Sequence, residues 1–451
     1  MAVRVAGPSG TYDVREVFTP TTPARLTFVE RIDINTKLVS ALSTPGKQIV
    51  VYGASGSGKT TLLENKLYQI YENHITTRCI YGLTFDQLVL DAFDQLGVYY
   101  ISEKTKGKEK SISGDLKADY LSISSKIGLS IRSSESDKES RIIPPQLTPQ
   151  TLGRFLGMAK CAWILEDFHK IDANERIKLA QVMKVFMDMA DIYRDLKIIA
   201  LGAVDTARLI VESDSEMKNR VSEICVPLMN DDEIRSIIDK GSSLLNFHIK
   251  NAVKKSISKY SNGLASVCHQ ICLNICFASD IYSTQISPRG ISAKHMQEAL
   301  KMYLDEASDT IKASFDKAFR NKRTRKFDNT KLILSALARC GRDGAAFAEI
   351  YSEIKKEESS YPSGNLTIYI EELCGTDRGS VIRHDANSGR YSFADPIYRV
   401  YALSYFSNPM IDMDDDVIDG VDVDSNMSSI LDELIRMHIK TKGQLGDGFS
   451  A

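Results

Sequence analysis

The sequence predicts an α/β protein with a parallel sheet at its core, a helical segment after the sheet and a small C-terminal domain. Three observations support this prediction. A β-branched run, "KQIVVY", leads into a glycine-rich loop, and a second apolar run, "CAWIL", ends in two acidic residues. From Asn230 to Leu304 the apolar residues recur at helical spacing. Continuous apolar runs of this length are typical of strands that are buried on both faces of a parallel sheet.

Composition limits the remaining possibilities. The chain has 451 residues, of which 43% are apolar, and this is enough for about three domains with their own cores. A formal net charge of −2 gives no overall attraction to nucleic acid or anionic lipid, so any such contact needs a local patch. No apolar run is long enough to span a bilayer, the first residues lack a signal-peptide core, and the eight cysteines are scattered. We expect a cytoplasmic protein with reduced thiols and no membrane contact.

The glycine-rich loop is the first candidate site. Glycines at a tight turn let backbone N–H groups converge on phosphate oxygens. In "GASGSGKTT", Lys59 would supply a positive charge for the β- and γ-phosphates, and Thr60 a hydroxyl for Mg²⁺. The strand before the loop and the helical spacing after it match the context that such a phosphate loop needs. The predicted nucleotide-binding residues are Gly53, Ala54, Ser55, Gly56, Ser57, Gly58, Lys59, Thr60 and Thr61.

Acidic residues at the ends of two further apolar runs are candidates for catalysis. Glu166 and Asp167 follow the run "CAWIL", at the end of a strand where parallel sheets usually place their ligands. We assign Glu166, with Thr60, to the Mg²⁺ side and Asp167 to activation of the attacking water, and the two carboxylates could exchange these roles. The run at 196–204 ends at Asp205, which senses the γ-phosphate or the attacking water, caps the next helix, or does both.

The order of these parts resembles that of the AAA+ and STAND ATPases, in particular the branch shared by origin-recognition-type ATPases and prokaryotic STAND ATPases. "FVERIDINTKLVSAL" looks like the segment ahead of the phosphate loop in that group, which implies that Arg31 opens a helix near the adenine. "MKNRVSEICVPLM" resembles the stretch with the arginine finger, so Arg220 would act in cis or across a subunit interface. "YSNGLASVCHQI" is similar to the turn of the lid, with Gly263 and Leu264 in place.

Two departures from the group's pattern refine what the resemblance implies. The acidic pair reads Glu-Asp rather than Asp-Glu, and no arginine follows Gly263 in the lid helix. The resemblance therefore implies an ATP-hydrolysing switch, with ATP and Mg²⁺ as its ligands, rather than a processive motor. In prokaryotes such ATPases often serve defence or mobile-element systems.

Pattern and resemblance together divide the chain into parts. The stretch at 103–148 is rich in serine and lysine, which predicts a flexible insertion in the core. Seven aspartates between positions 412 and 424 predict a disordered acidic tail. The predicted parts are a P-loop ATPase core at 1–229, a helical lid at 230–310, a basic linker at 311–328, a winged-helix domain at 329–407 and the tail at 408–451.

A cluster of cysteines and one histidine within the predicted lid invites a metal interpretation. Cys268, Cys272 and Cys276 recur every four residues, which is the spacing of one helix face, and His269 lies beside them. The sequence offers no second cluster that would complete a metal site. We therefore favour a buried stripe in the core of a helix over a metal site.

The predicted winged helix bears on the partner. In winged helices that read DNA, the third helix enters the major groove, and basic residues assist it. Here that helix, at 363–375, has no Lys or Arg, whereas the hairpin that would form the wing carries Arg383, His384 and Arg390. Weak contact with the DNA backbone and contact with a protein therefore remain as alternatives.

Two functions follow from these patterns. The first is an ATP-hydrolysing switch that couples its nucleotide state to a protein partner, a second copy of itself or nucleic acid. The alternative is an origin-recognition-like protein that binds duplex DNA in an ATP-dependent way through the basic linker and the wing. Six basic residues within 317–326 support the alternative, and the acidic third helix opposes it.

Overall fold

A computed structural model describes residues 10–71, 73–96, 148–203, 220–307, 309–320, 326–385 and 388–406. Four predictions lie wholly or partly outside these residues. They concern Asp205, nearly all of the insertion at 103–148, positions 321–325 of the basic linker and the acidic tail. Within the described ranges, no helix is both long and apolar enough to cross a membrane.

A five-stranded parallel sheet forms the core of the first half of the chain. Its strands are β1 (Gln48–Tyr52), β2 (Asn73–Arg78), β3 (Cys161–Glu166), β4 (Ile198–Gly202) and β5 (Val221–Cys225). They lie side by side in the order β2-β3-β4-β1-β5, and every pairing is parallel. The predicted α/β fold with a parallel sheet is therefore confirmed.

The central strands were predictable and the edge strands were not. The strands β1, β3 and β4 coincide with the three apolar runs of the sequence. In contrast, β2 and β5 lie at the two edges, and their sequences, "NHITTR" and "VSEIC", mix buried with partly or fully exposed residues. Because an edge strand is only partly covered, it does not need a continuous apolar run.

Helices cover both faces of the sheet. The first described helix is the short α1 (Val14–Val17). On one face of the sheet lie α2 (Ile32–Ser43) and α3 (Lys59–Ile70). On the other face lie α4 (Phe85–Gln95), α5 (Pro149–Met158) and α6 (Ala173–Asp188). Successive strand residues point to opposite faces, so Ile49 and Val51 pack towards α2 and α3 while Val50 packs towards α4 to α6.

A helical segment at 231–306 follows the sheet. It contains α7 (Asp231–Leu245), α8 (Asn251–Ser261), α9 (Ala265–Ala278) and α10 (Ala293–Glu306). The side chain of Asn230 accepts a hydrogen bond of 2.8 Å from the backbone of Glu233 and so caps the start of α7. The prediction that this segment is helical throughout is wrong, because β6 (Phe247–Ile249) pairs in parallel with β7 (Arg289–Ile291).

The stripe of cysteines lies inside this segment. Cys268, Cys272 and Cys276 are buried on α9, as the helical spacing predicts, and their thiols are free. Apolar side chains from α7 and α10 cover the same helix, so the cysteines act as small packing residues there.

The C-terminal part of the described chain combines helices with a small sheet. Its helices are α11 (Asp309–Phe319), α12 (Asn329–Arg339), α13 (Phe347–Glu357), α14 (Ser363–Cys374) and α15 (Pro396–Phe406). The strands β9 (Ile382–Asp385) and β10 (Arg390–Phe393) form an antiparallel hairpin, and β10 also pairs with β8 (Ala345–Ala346). The helix α14 and the hairpin lie where the sequence predicts the third helix and the wing, whereas α11 lies mostly in the stretch predicted as a basic linker. The last helix, α15, packs against α8 and α10.

Candidate nucleotide-binding site

The glycine-rich loop connects the end of β1 to the start of α3. A Cβ atom on Gly53 would lie 2.4 Å from the carbonyl oxygen of Val226, and one on Gly56 would lie 2.2 Å from the side-chain oxygen of Ser266. Gly56 also has a φ of +75°, which L-residues rarely adopt. Two of the predicted glycines are thus required by close packing, and the first turn of α3 begins directly behind the loop.

Lys59 lies inside the curve of the loop. Its Nζ atom donates hydrogen bonds to the carbonyl oxygens of Gly53, at 3.1 Å, and Ala54, at 2.8 Å. Burial lowers the pKa of this lysine, and the nearby carboxylate of Asp167 partly offsets that effect. The ammonium group is therefore held where phosphate oxygens would enter the loop, and phosphate would replace the carbonyl oxygens as its partner.

Thr60 and Glu166 are brought together across the sheet. The Oγ1 atom of Thr60 lies 3.5 Å from Oε1 of Glu166, although the two residues are 106 positions apart. The other carboxylate oxygen of Glu166 lies 3.4 Å from Nε of Arg78, at the end of β2. A hydroxyl and a carboxylate at this separation are hard oxygen donors of the kind that Mg²⁺ prefers, so the residues present fit this ion.

Asp167 follows the strand in an unusual backbone conformation. Its φ of +55° belongs to the left-handed region, which non-glycine residues enter mostly at turns and functional sites. The carboxylate forms an ion pair of 2.7 Å with Lys170 and is 54% exposed. It is therefore accessible from the cavity that the loop and Glu166 also line.

One cavity of about 740 Å³ joins these groups. Its volume lies within the range of small-molecule sites in proteins. The walls come from the phosphate loop with α3, the segment 19–31, the ends of β2, β3 and β4, the stretch at 226–237, the start of α9 and the start of α15. The residues used below are Thr19, Pro20, Arg31, Lys59, Thr60, Thr61, Arg78, Glu166, Asp167, Met229, Ile237, His269 and Asp395, all of which line it.

Arg31 lines this cavity, but its polar atoms serve another contact. The side chain is buried and forms an ion pair of 3.0 Å with Glu233 on α7. Its two terminal nitrogens donate to the carbonyl oxygens of Pro227, at 3.0 Å, and Leu228, at 3.4 Å. These contacts show that Arg31 joins the sheet domain to the helical segment.

Gly263 lies at the turn before α9. It has a φ of +76°, and a Cβ atom there would lie 2.6 Å from the carbonyl oxygen of Met229. Its own carbonyl accepts a hydrogen bond of 2.8 Å from Met229, and Ser266 donates one of 3.2 Å to Gly56 in the loop. Gly263 therefore fixes the approach of α9 to the loop without lining the cavity itself.

Arg220 is not brought to the loop within this chain. It precedes the first residue of β5, and its carbonyl accepts a hydrogen bond from Gln48, the first residue of β1. The loop follows the last residue of β1, about 16 Å further along the sheet. Of the two expected arrangements, action in cis does not fit this position, because parallel strands place Arg220 at the opposite end of the sheet, where it pairs with Asp188 at 3.1 Å.

Several cavity residues were missed by sequence reasoning. Arg78 ends an edge strand that the pattern did not reveal, and Asp395 was seen only as part of a hairpin. Thr19 lies in a proline-rich stretch without any motif, and His269 was considered only as a metal ligand. Each reaches the cavity through long-range packing, so no local signal could have identified it.

Comparison with known proteins supports the fold. No protein-family model and no curated protein matches the chain. Among solved structures, the Walker-type ATPase PABY2304 of Pyrococcus abyssi is similar with a TM-score of 0.51 and 14% identity, over 86% of this chain and 99% of that one.

Two further solved structures show a weaker likeness. Cdc6p of Pyrobaculum aerophilum has a TM-score of 0.44 and 14% identity, over 88% of this chain and 97% of that one. The ORC2 protein of Aeropyrum pernix, in its ADPNP-ADP complexes, has a TM-score of 0.47 and 12% identity, over 88% of this chain and 97% of that one. The likeness to the Pyrococcus protein shows that this chain has the α/β fold of a Walker-type P-loop ATPase.

Proposed function

We propose that this protein binds ATP with Mg²⁺, hydrolyses it, and uses the nucleotide state as a switch. The observation that carries the proposal is the convergence of the phosphate loop, Lys59 and the Thr60–Glu166 pair in one cavity. The fold is that of a Walker-type ATPase, and the cavity has a suitable volume.

Each residue of the phosphate end has a distinct part in this proposal. The loop amides and Lys59 bind the phosphates, and Thr60 and Glu166 hold Mg²⁺. When bound, Mg²⁺ neutralises charge on the phosphate oxygens. The exposed carboxylate of Asp167 orients the attacking water, and Asp205, outside the described residues, remains a proposed sensor of the γ-phosphate.

The switch part of the proposal rests on the walls of the cavity. A nucleotide bound there would contact the sheet domain, the segment 19–31, the helical segment at 231–306 and the start of α15 at once. Its binding and release would therefore change the free energy of each of these contacts. We propose that the parts coupled in this way are an ATPase core at 1–229, a lid at 230–310, a linker at 311–328 and a winged helix at 329–407.

A protein partner fits the C-terminal part better than duplex DNA. The helix α14 has no Lys or Arg and carries Glu371 and Glu372 on its exposed side. In the hairpin, Arg390 already pairs with Glu349 at 3.0 Å, and Arg383 donates to Ser392 at 3.2 Å. We further propose that the switch serves a prokaryotic defence or mobile-element system. The support for this setting is the resemblance of the sequence motifs to those of prokaryotic STAND ATPases.

Arg220 fits the proposal only as a residue that acts on a neighbouring copy. Its side chain is exposed at the edge of the sheet opposite the loop, so it is accessible to a second subunit. The rate per molecule should then rise with protein concentration, and Arg220→Ala should remove that rise. Mixing Arg220→Ala with Lys59→Ala should restore part of the activity, because each variant supplies what the other lacks.

Steady-state ATP hydrolysis tests the main proposal. Wild-type protein should hydrolyse ATP only with Mg²⁺, whereas Lys59→Ala and Asp167→Asn should lose activity by roughly a hundredfold or more. Two exposed residues provide matched controls, Lys37→Ala on α2 and Asp94→Asn on α4, and both should behave like wild type.

The same assay with duplex DNA separates the two partner classes. Activation by DNA with a steep dependence on salt would support the DNA-binding alternative, because neutralised phosphates release counterions. A rate that is indifferent to DNA supports the protein-directed switch. If Lys59→Ala hydrolysed ATP as fast as wild type, the proposed site would be rejected.

A further inference from the structure

We propose that Thr19 and His269 form an adenine-recognition pair at the end of the cavity away from Asp167. The inference rests on the proposed ATP site and adds the residues that select the base. It is carried by the contacts of the two side chains and by their positions in the cavity.

The strand order gives the cavity a direction. Glu166 and Asp167 end β3, which lies two strands from β1 and its phosphate loop, while β5 lies on the other side of β1. The helical segment at 231–306 follows β5, which lies three strand spacings, or roughly 14 Å, from β3. A nucleotide with its phosphates in the loop and its metal at Glu166 would point its base towards this far side.

His269 presents a neutral donor there. It is only 3% exposed, and its Nδ1 atom accepts a hydrogen bond of 3.0 Å from the backbone N–H of Thr19. Burial lowers the pKa of this imidazole to about 4, so the ring is neutral at physiological pH. Because Nδ1 accepts, the single ring proton is on Nε2. Within the described part of the chain this N–H has no partner, and the ring lines the cavity.

Thr19 presents a hydroxyl that lacks a partner. Its Oγ1 atom is buried and makes no hydrogen bond among the described residues. An unpaired buried hydroxyl costs free energy, and native proteins rarely keep one without a reason. The Thr19 backbone is fixed by its bond to His269, so the hydroxyl and the imidazole N–H form one preorganised polar patch beside the cavity.

Adenine matches this patch better than guanine. Its 6-amino group is a donor for the hydroxyl of Thr19, and an adjacent ring nitrogen is an acceptor for Nε2–H of His269. The neighbouring cavity residues Pro20, Met229 and Ile237 are apolar. Guanine has an oxygen in place of the 6-amino group and would bring two donors that adenine lacks, N1–H and the 2-amino group, into these apolar surroundings, where unpaired polar groups are unfavourable.

Nucleotide titrations of the full-length protein test the pair. The probes are ATP, GTP and purine riboside triphosphate, which lacks the 6-amino group. Wild type should bind ATP more tightly than the other two. Thr19→Val removes the hydroxyl and keeps the shape, so ATP affinity should fall by roughly fivefold to tenfold and equal that of purine riboside triphosphate. Thr36→Val, an exposed site on α2, is the matched control and should change nothing.

Two substitutions at His269 separate its contacts. His269→Asn keeps an acceptor for the Thr19 backbone and removes the donor into the cavity, so it should lose the preference for ATP over GTP. His269→Gln keeps a donor near the Nε2 position and should retain part of that preference. Thermal melts of each variant confirm that it is folded.

The Lys59→Ala variant distinguishes the two possible failures. If wild type binds ATP in a Lys59-dependent way but Thr19→Val and His269→Asn leave the ATP-to-GTP ratio unchanged, the recognition pair is wrong and the ATP site stands. If Lys59→Ala binds ATP like wild type, the proposed function itself fails and the pair falls with it.

Discussion

The two ends of the cavity are built in different ways. At the phosphate end, Lys59 and Thr60 are the first residues of α3, directly after the short loop, and Glu166 ends a central strand. At the far end, Thr19 and His269 are 250 residues apart and meet through a single hydrogen bond of 3.0 Å. The phosphate end presents charged groups and backbone amides, whereas the far end presents neutral groups among apolar side chains.

This difference shows how the chemistry of a ligand decides which signals a sequence carries. Phosphate and metal require a fixed backbone turn and charges at set spacing, which a continuous motif supplies. A base is flat and mostly apolar, and it requires a shaped wall with one or two polar groups. Such a wall is assembled from separate elements, so the sequence gives little sign of it.

The largest expected effect appears when the same hydroxyl is removed at the two ends in turn and the hydrolysis rates are compared. Thr60→Val should lower the rate of ATP hydrolysis by roughly 10²- to 10³-fold, because it removes an oxygen proposed to hold Mg²⁺. Thr19→Val, the same substitution at the other end, should alter base preference and leave the Mg²⁺ dependence unchanged. Hydrolysis rates at increasing Mg²⁺ concentration measure both, and equal Mg²⁺ dependence in the two variants would contradict the comparison.

The connection between the two ends should be sensitive to Arg31. Arg31→Met would leave Glu233 and the carbonyl oxygens of Pro227 and Leu228 without their cation, in buried surroundings. Losing one partner of a buried ion pair should lower the free energy of unfolding by about 3 kcal/mol. Urea unfolding measures this loss. Arg194→Met, at an exposed position, serves as the control, and a similar small change in both would argue against the role of Arg31.

The far end should make stability depend on pH through His269. Burial lowers its pKa from 6.5 to about 4, so between these values the unfolded chain binds a proton that the folded protein does not. Stability is therefore full above pH 6.5 and falls as the pH drops towards 4, by about 2 kcal/mol at pH 5. Urea unfolding at pH 7 and pH 5 should show this fall in the free energy of unfolding. In His269→Gln, which lacks the imidazole, the fall between the two pH values should be smaller by the part that His269 contributes.

The smallest effect contrasts two threonines of the same segment. The hydroxyl of Thr27 donates to the carbonyl oxygen of Val17 at 3.0 Å, whereas that of Thr19 has no partner among the described residues. Without nucleotide, Thr27→Val should therefore destabilise the protein by about 1 kcal/mol, and Thr19→Val should leave it unchanged or stabilise it. Thermal melts of the nucleotide-free variants give the signs, and destabilisation by Thr19→Val would indicate that its hydroxyl is already paired.

The sequence predicted the central parts of the fold and missed its edges. Buried strands are continuous apolar runs, so β1, β3 and β4 were visible, whereas the polar edge strands β2 and β5 were not. The same omission explains why the sequence left Arg220 open between action in cis and action across a subunit interface. Without β5 in the sheet, nothing in the sequence placed that residue at the edge opposite the loop.

By itself, the sequence determined the phosphate loop, the acidic pair after β3, and the helix α14 and the hairpin of the C-terminal part. These features depend on local backbone conformation and on short-range periodicity, both of which are set by neighbouring residues. Only the tertiary structure decided how the sheet domain meets the helical segment. There the successive carbonyl oxygens of Pro227, Leu228 and Met229 are held by Arg31 and by Arg342, which come from opposite parts of the chain. Backbone carbonyls are the same in every residue, so the sequence cannot show which distant arginine will satisfy them, and packing alone makes that choice.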